Sequence, residues 1–221
     1  LLGTNGTNAI NVARYSKLPY DPLRDFAPIS LLATSYLILL SHPSVPANNV
    51  QELIAYAKAN PGKLDYGSPG NGTPHHLAME LFKQQTGTRM VHIPYKGTGP
   101  ATQDLLGGQI QVMFLTVHVV LPLVQAGRLK MLAAGGTERS IASPQVPSLA
   151  EASGIRNIDT DIWFGIYLPA GAPPEAVAKL NAELNALLKV PATSEALARQ
   201  GLQAMGGAPE RTYAHWSPAA A

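Results

Sequence analysis

The sequence predicts an α/β protein of two lobes, with mostly parallel sheets flanked by helices. The main observation is a regular alternation of short apolar runs and helical patterns between Val50 and Gly135. A second is that two loops rich in Gly, Ser, Thr and Asn each follow a predicted strand end. Repeated βα units of this length favour parallel strands with helices on both faces. Ligands of such sheets bind beyond the carboxyl ends of the strands, where these loops lie.

The predicted elements follow from hydrophobic periodicity and from helix stop signals such as Asn60-Pro61-Gly62. Strands are predicted at 1–3, 29–40, 64–67, 90–94, 110–115, 129–134 and 163–168. Helices are predicted from Val50, from Pro74 for about three turns, from Gly99 to Leu106, over 119–126, from Pro173 with Val177, Leu180, Leu184 and Leu187 on one face, and over 194–200. Residues 136–162 contain no long periodic segment and are predicted to form a surface connection.

Composition excludes several classes of protein. Charged residues make up 14% of the chain, against about 25% in an ordinary soluble domain. The formal charge of +2 and the lack of a Lys/Arg cluster argue against a nucleic-acid partner. There is no cysteine, which excludes disulfides and thiol nucleophiles. The chain opens inside an apolar run without Met, so we expect a piece of a longer protein.

The most informative segment is the Gly-rich loop between the strand ending near Gly67 and the helix starting at Pro74. Thr73 suits the N-cap and Pro74 the first helical position. The helix should bury Leu77, Ala78, Leu81 and Phe82. A helix N-terminus beside a glycine loop favours an anion, so the loop is a candidate seat for a carboxylate or phosphate. The alternative is a plain tight βα turn, because the loop has neither the Walker A nor the Gly-x-Gly-x-x-Gly spacing.

A similar loop, Thr4-Asn5-Gly6-Thr7-Asn8, follows the predicted first strand. Two such loops suggest two lobes with a ligand between them. The first lobe is predicted to comprise residues 1–37 and 137–221, and the second residues 38–136.

Several short motifs resemble those of the extracytoplasmic substrate-binding receptors of tripartite tricarboxylate transporters, the Bug family. They are Leu64-Asp65-Tyr66-Gly67-Ser68, Gly72-Thr73-Pro74-His75-His76-Leu77-Ala78, Val91-His92-Ile93-Pro94-Tyr95-Lys96-Gly97, Leu105-Leu106-Gly107-Gly108-Gln109-Ile110, Gln125-Ala126-Gly127-Arg128-Leu129-Lys130, Trp163-Phe164-Gly165 and Pro169-Ala170-Gly171-Ala172-Pro173. The resemblance implies a periplasmic, type II-like "Venus flytrap" binding protein. Such a protein closes on a small carboxylate and delivers it to membrane permease subunits. Dicarboxylates, tricarboxylates, aromatic acids and acidic amino acids all suit such a site.

The resemblance also implies that backbone amides and hydroxyls, rather than an Arg clamp, hold the carboxylate. Leu115 stands where relatives often carry an acidic or amide residue, which argues against an amino acid ligand. Relatives also begin earlier, with a strand and loop that contribute to the seat. The ligand-binding residues predicted on this basis are Thr4, Asn5, Thr7, Ser68, Gly70, Asn71, Gly72, Thr73, Tyr95 and Thr116. Tyr95 fits a solvated strand end equally well.

Other functions find less support in the sequence. His75, His76 and Glu80 suggest a metal site, because His76 and Glu80 are four residues apart on one helix face. No other histidine is placed by its spacing to complete the site as a third ligand, so neither a metal nor another cofactor is expected. Ser68 does not lie in a Gly-x-Ser-x-Gly elbow, and no Asp–His pair is placed to activate it, so no catalytic residue is predicted. An enzyme acting on small molecules and the effector-binding domain of a transcription regulator remain alternatives. The regulator would need a helix-turn-helix with a basic face, which is not visible.

Overall fold

The computed structural model describes residues 1–136, 139, 144–156, 158 and 160–214. The fold is α/β, as predicted, and the chain divides into two compact units. Unit 1 comprises Leu1–Ser35 and Ile162–Ala221, and unit 2 comprises Tyr36–Asp161. The predicted lobes differ from these units mainly in 137–161, which the structure groups with unit 2. That the units act as closing lobes stays a prediction.

Strands and helices alternate along most of the chain, except that the helix Pro174–Leu188 is followed directly by the helix Pro191–Arg199. The strands are β1 (Leu2–Thr4), β2 (Phe26–Ser41), β3 (Asp65–Ser68), β4 (Val91–Pro94), β5 (Val112–Thr116), β6 (Lys130–Ala134), β7 (Asp161–Pro169) and β8 (Gln203–Ala204). The helices are α1 (Asn11–Arg14), α2 (Val50–Ala59), α3 (Pro74–Thr86), α4 (Thr98–Leu106), α5 (Val117–Gln125), α6 (Leu149–Ser153), α7 (Pro174–Leu188), α8 (Pro191–Arg199) and α9 (Pro209–Ala214). Every helix and strand predicted between Val50 and Ala134 is present, with ends shifted by a few residues.

The sheet of unit 2 is mixed, so the prediction of mostly parallel sheets was wrong. Strand β3 pairs in parallel with β4 and β5. The second half of β2, however, runs antiparallel to β5 and β6. A helical connection favours parallel pairing only between the strands that it joins. No single helix connects β2 to β5 or to β6, which lie far from it in sequence, so this rule does not determine the direction of β2.

Helices α4 and α5 and strands β2, β5 and β6 enclose the main apolar cluster of unit 2, which includes Leu40, Leu105, Met113 and Val120. The segment predicted as a plain surface connection contains α6. Ser148 caps this helix in a capping box with Glu151, and its backbone bridges to Ala134 of β6. This bridge attaches the segment to unit 2.

Unit 1 holds a smaller core of Leu31, Trp163 and Tyr167. Strand β1 runs antiparallel to β7, and the first half of β2 runs antiparallel to β8. The apolar face predicted for α7 is only partly covered by the described residues, since Leu180 is 40% exposed and Leu187 52%. None of the helices in the described ranges has the length and apolar character needed to cross a bilayer.

Candidate functional site

The carboxyl ends of three parallel strands of unit 2 define the candidate site. Strands β3, β4 and β5 end at Ser68, Pro94 and Thr116, and their parallel direction brings these ends to one edge of the sheet. The Gly-rich loop, residues 69–73, connects β3 to α3 at this edge. Helix α3, which has 13 residues, therefore begins at the place where ligands of α/β sheets bind.

Hydrogen bonds within the loop hold it in shape. The Ser68 hydroxyl donates to the Gly70 carbonyl (3.1 Å) and accepts the Gly70 N–H (3.2 Å). The Gly72 N–H donates to Nδ1 of His76 at 3.1 Å, and the Thr73 N–H donates to the Gly70 carbonyl at 3.3 Å. Gly72 has φ +72°, a conformation that favours glycine. Several donors predicted for the ligand therefore bond to the loop itself.

Asn71 and His75 supply the donors that remain open. Within the described part of the chain, neither the side-chain amide nor the backbone N–H of Asn71 has a hydrogen-bond partner, and Asn71 is exposed. The backbone N–H of His75, in the first turn of α3, has no acceptor there either. These groups can bond an anion without breaking any bond of the loop.

Thr73 acts as the helix cap that the sequence predicts. Its hydroxyl accepts the His76 N–H (3.4 Å) and donates to the Gly70 carbonyl (2.8 Å). We expect Thr73→Val to lower the free energy of unfolding by about 1 kcal/mol, because an N-cap is lost, while Thr73→Ser keeps the wild-type value. Urea unfolding of both variants measures this. A Val variant as stable as wild type would contradict a capping role.

A stack of aromatic and imidazole rings lies against the loop. The His92 ring lies 4.1 Å from the His76 ring and 4.7 Å from the Tyr66 ring, between centroids. Nε2 of His92 is 2.7 Å from the Ser68 hydroxyl oxygen. The Tyr66 hydroxyl donates to the Glu80 carboxylate, which also accepts from Lys83 at 2.7 Å. The stack therefore connects β3, β4 and α3 beneath the loop.

This environment shifts several pKa values. Burial, aided by the charges of His76 and Lys83, lowers the pKa of His92 to about 4. Burial also lowers the pKa of His75 to about 4, and it raises the pKa of Tyr66, as does the bond to Glu80. Burial would raise the pKa of Glu80, but bonds from Lys83 and Tyr66 outweigh it and lower that pKa.

Two further predicted residues lie at the same edge. The Tyr95 hydroxyl donates to Asp104 at 2.6 Å. Burial is the largest cause, and this bond the next, of a rise in the pKa of Tyr95 to about 12. The Tyr95 N–H donates to the Ser68 carbonyl at 2.9 Å, so the end of β4 is fastened to the loop. Thr116 is 9% exposed, and its hydroxyl makes no capping bond to α5.

Of the three predicted residues of unit 1, Thr4 ends β1, whereas Asn5 and Thr7 lie at the start of a helical segment rather than in a loop. Asn5 precedes a π-helical turn, Gly6–Ile10, that continues into α1. The Thr4 N–H donates to the Thr7 hydroxyl at 2.9 Å, and the Thr7 hydroxyl lies within hydrogen-bond distance of the Thr4 carbonyl, 3.1 Å away. Because residues 6–10 form this helical turn, the prediction of a loop at residues 4–8 was wrong. Thr7 also lines a cavity of about 200 Å³ with Tyr20 and Tyr167.

Comparison with known proteins identifies the family. The profile described as "Tripartite tricarboxylate transporter family receptor" matches residues 2–214. The chain belongs to this receptor family. It spans 58–62% of the length of the first curated relatives it matches, at 34–35% identity.

Three solved structures show what this family member is similar to. Rpa4515 of R. palustris with adipate is 33% identical (TM-score 0.91), and a structure described as a periplasmic transporter is 37% identical (TM-score 0.91). MatC from Rhodopseudomonas palustris with bound malate is 28% identical (TM-score 0.80). Each comparison covers 99% of this chain and 72–73% of the other. The family is one of receptors rather than of enzymes.

A histidine lies beside Ser68 in this family member. No histidine was predicted beside Ser68, yet Nε2 of His92 lies 2.7 Å from the Ser68 hydroxyl oxygen. The Ser68 side chain is nevertheless buried and bonded to Gly70, and the His92 ring stacks with the Tyr66 and His76 rings. These contacts indicate that Ser68 and His92 shape the Gly-rich loop.

His75, His76 and Glu80 do not form a metal site in the ranges that the structure describes, where no group of three such side chains could hold an ion. His76 instead packs against the loop, and its Nδ1 accepts the Gly72 N–H. His92 was not predicted as a site residue, although the alternation Val91-His92-Ile93 indicates a sheet face that it can share with Tyr66, its partner in register.

Proposed function

We propose that this protein is an extracytoplasmic solute receptor that binds a small dicarboxylate and presents it to the permease subunits of a membrane transporter. The observation that carries the proposal is the set of open donors on Asn71 and His75 at the N-terminus of α3. Family membership and the adipate and malate in two solved relatives support it. The relative described as a periplasmic transporter supports the location.

The seat for one carboxylate is proposed to consist of the Asn71 side chain and the backbone N–H groups of Asn71 and His75. The positive end of the α3 dipole adds to their attraction for an anion. Ser68, Gly70, Gly72 and Thr73 contribute by shaping the loop. Thr116 offers a hydroxyl at the same sheet edge. Contacts from Thr4, Asn5 and Thr7, and capture between two lobes, remain part of the proposal.

A thermal-shift screen of the full-length protein tests the function. The panel contains adipate, malate, citrate, benzoate and glutamate, with glucose and inorganic phosphate as non-carboxylate controls. A ligand at 100 times its dissociation constant adds about 2.7 kcal/mol to the free energy of unfolding, which raises the melting temperature measurably. We expect a dicarboxylate to give the largest shift and to be recovered unchanged. Stabilisation by no carboxylate, or consumption of one, would overturn the proposal.

Asn71→Asp tests the seat. The substitution keeps the side-chain shape but places a negative charge against the ligand carboxylate, so we expect about tenfold weaker binding in calorimetry. Gln85→Glu is the matched control, because it makes the same charge change on an exposed residue at the other end of α3. The control should bind as wild type does. Equal affinities of the two variants would exclude Asn71 from the seat.

A further inference from the structure

We propose that His76 and His92 are positioning residues, which hold the Gly-rich loop in its ligand-binding form, and that His76 does so only while its imidazole ring is uncharged. This inference rests on the proposed function of the loop. Neither ring needs to touch the ligand, because each acts on the loop through a backbone or side-chain contact.

His76 holds the loop through its ring nitrogen. Nδ1 accepts the Gly72 N–H at 3.1 Å, so this nitrogen must carry a lone pair and no proton. A charged imidazolium has a proton on both nitrogens, which would point an N–H at the N–H of Gly72. The bond would be lost and the two donors would repel each other. Gly72 directly follows Asn71, so the proposed seat would shift with it.

His92 supports the other side of the loop. Its Nε2 lies 2.7 Å from the hydroxyl oxygen of Ser68, which holds both the N–H and the carbonyl of Gly70. Asn71 is therefore held between two glycines, one fixed through Ser68 and His92 and the other fixed by His76. The stacked rings of the two histidines are 4.1 Å apart, so two positive charges would repel strongly at this distance.

Other ionisable groups face this pair from β3 and α3. The Glu80 carboxylate lies 4.0 Å from Nε2 of His76 and favours a charged ring, but it is also bonded to Lys83 and Tyr66. The Lys83 ammonium lies 5.1 Å from the Tyr66 ring centroid and opposes a charge on His92. Burial is the larger effect on His92 and keeps it uncharged near neutral pH. The uncharged rings of the stack thus lie beside the Glu80 carboxylate, whose charge is balanced by Lys83.

Two variants of His76 distinguish the role of its Nδ1 as a hydrogen-bond acceptor from the stacking of its ring on His92. In His76→Asn, Oδ1 takes the place of Nδ1 and accepts the Gly72 N–H but cannot be protonated. His76→Phe keeps a flat ring over His92 and removes the acceptor. At neutral pH we expect adipate to bind the Asn variant within about threefold of wild type and the Phe variant about tenfold more weakly.

The pH profile supplies the decisive readout. Acidification from neutral pH toward about pH 5, across the usual range of histidine titration, should weaken adipate binding to wild type more than to His76→Asn. The protonation of adipate itself affects both proteins equally. The same loss of affinity in both would overturn the role of His76. His92→Gln, in which the side-chain amide N–H replaces the Nε2–H as donor to the Ser68 hydroxyl, should bind adipate as wild type does, whereas His92→Leu should bind about tenfold more weakly. Equal affinities of these two would overturn the role of His92.

A second measurement without ligand separates this inference from the proposed function. In ¹⁵N-labelled protein, the Gly72 amide proton should shift on acidification with the same midpoint as the His76 ring nitrogens, and the shift should vanish in His76→Asn. A Gly72 amide that does not respond would overturn the positioning role even if adipate binds. A responding amide in a protein that binds no carboxylate would instead overturn the proposed function.

Discussion

Truncation of Phe82 to alanine is expected to lower the free energy of unfolding by about 3–5 kcal/mol, the usual cost of deleting a buried aromatic side chain. Phe82 is fully buried and lies on the face of α3 that also buries Ala78 and Met79. A large void would remain in unit 2, because the packed sheet can collapse only in part. Urea unfolding followed by circular dichroism measures the loss.

Phe82→Leu is the matched control. Leucine fills most of the volume of the ring, so we expect a loss of roughly 1 kcal/mol. An alanine variant that loses no more than the leucine variant would show that α3 is not anchored at Phe82. Because α3 carries the donors of the loop at its N-terminus, the comparison also shows how firmly the site is attached to unit 2.

Replacement of His75 by leucine is expected to protect the protein against acid. The His75 side chain is 9% exposed, and its Nδ1 has no hydrogen-bond partner among the described residues. Burial lowers its pKa from the ordinary 6.5 to about 4. As the pH falls through this window, the unfolded chain takes up a proton at His75 before the folded protein does. Wild type therefore loses stability between the two values, on the order of 3 kcal/mol from this residue.

Free energies of unfolding measured from pH 7 down to about pH 4 test this expectation. His75→Leu should lose less stability than wild type over that range and should be at least as stable at neutral pH, because an unsatisfied buried nitrogen is removed. His92 contributes in the same window, so His92→Gln serves as the comparison. If His75→Leu and wild type lose stability in parallel, the charge on His75 is not what limits acid stability.

The start of α3 could be predicted from the sequence because capping is local. Thr73 and Pro74 determine where the helix begins, whatever packs against it later. The buried face could not be predicted as well: Leu77 is 44% exposed, whereas His75 and Thr86 are buried. Which side of a helix is covered depends on the strands it meets, and polar residues on that side hide the apolar pattern.

The remaining differences come from contacts between residues far apart in sequence. Strand β2 runs against β5 and β6, and nothing within β2 itself specifies this direction. His92 reaches Ser68 only because Tyr66 and His92 are paired in register across two parallel strands. Thr4 and Thr7 bond to each other where a helical segment begins, although the sequence there is typical of a loop. The candidate residues could be chosen from motifs, but their separate roles required the geometry.

The hydrogen bonds within the Gly-rich loop affect how a dissolved solute approaches and binds the loop. The loop offers amide dipoles instead of a formal positive charge, and its fixed bonds to Ser68 and His76 shape it before the solute arrives. Dipoles act only at short range, whereas attraction between full charges reaches about 10 Å at 0.1 M salt and weakens as salt is added. The loop itself therefore does not steer the solute from a distance. Its attraction for an anion depends on short-range contacts, so it varies less with ionic strength than the attraction between full charges does.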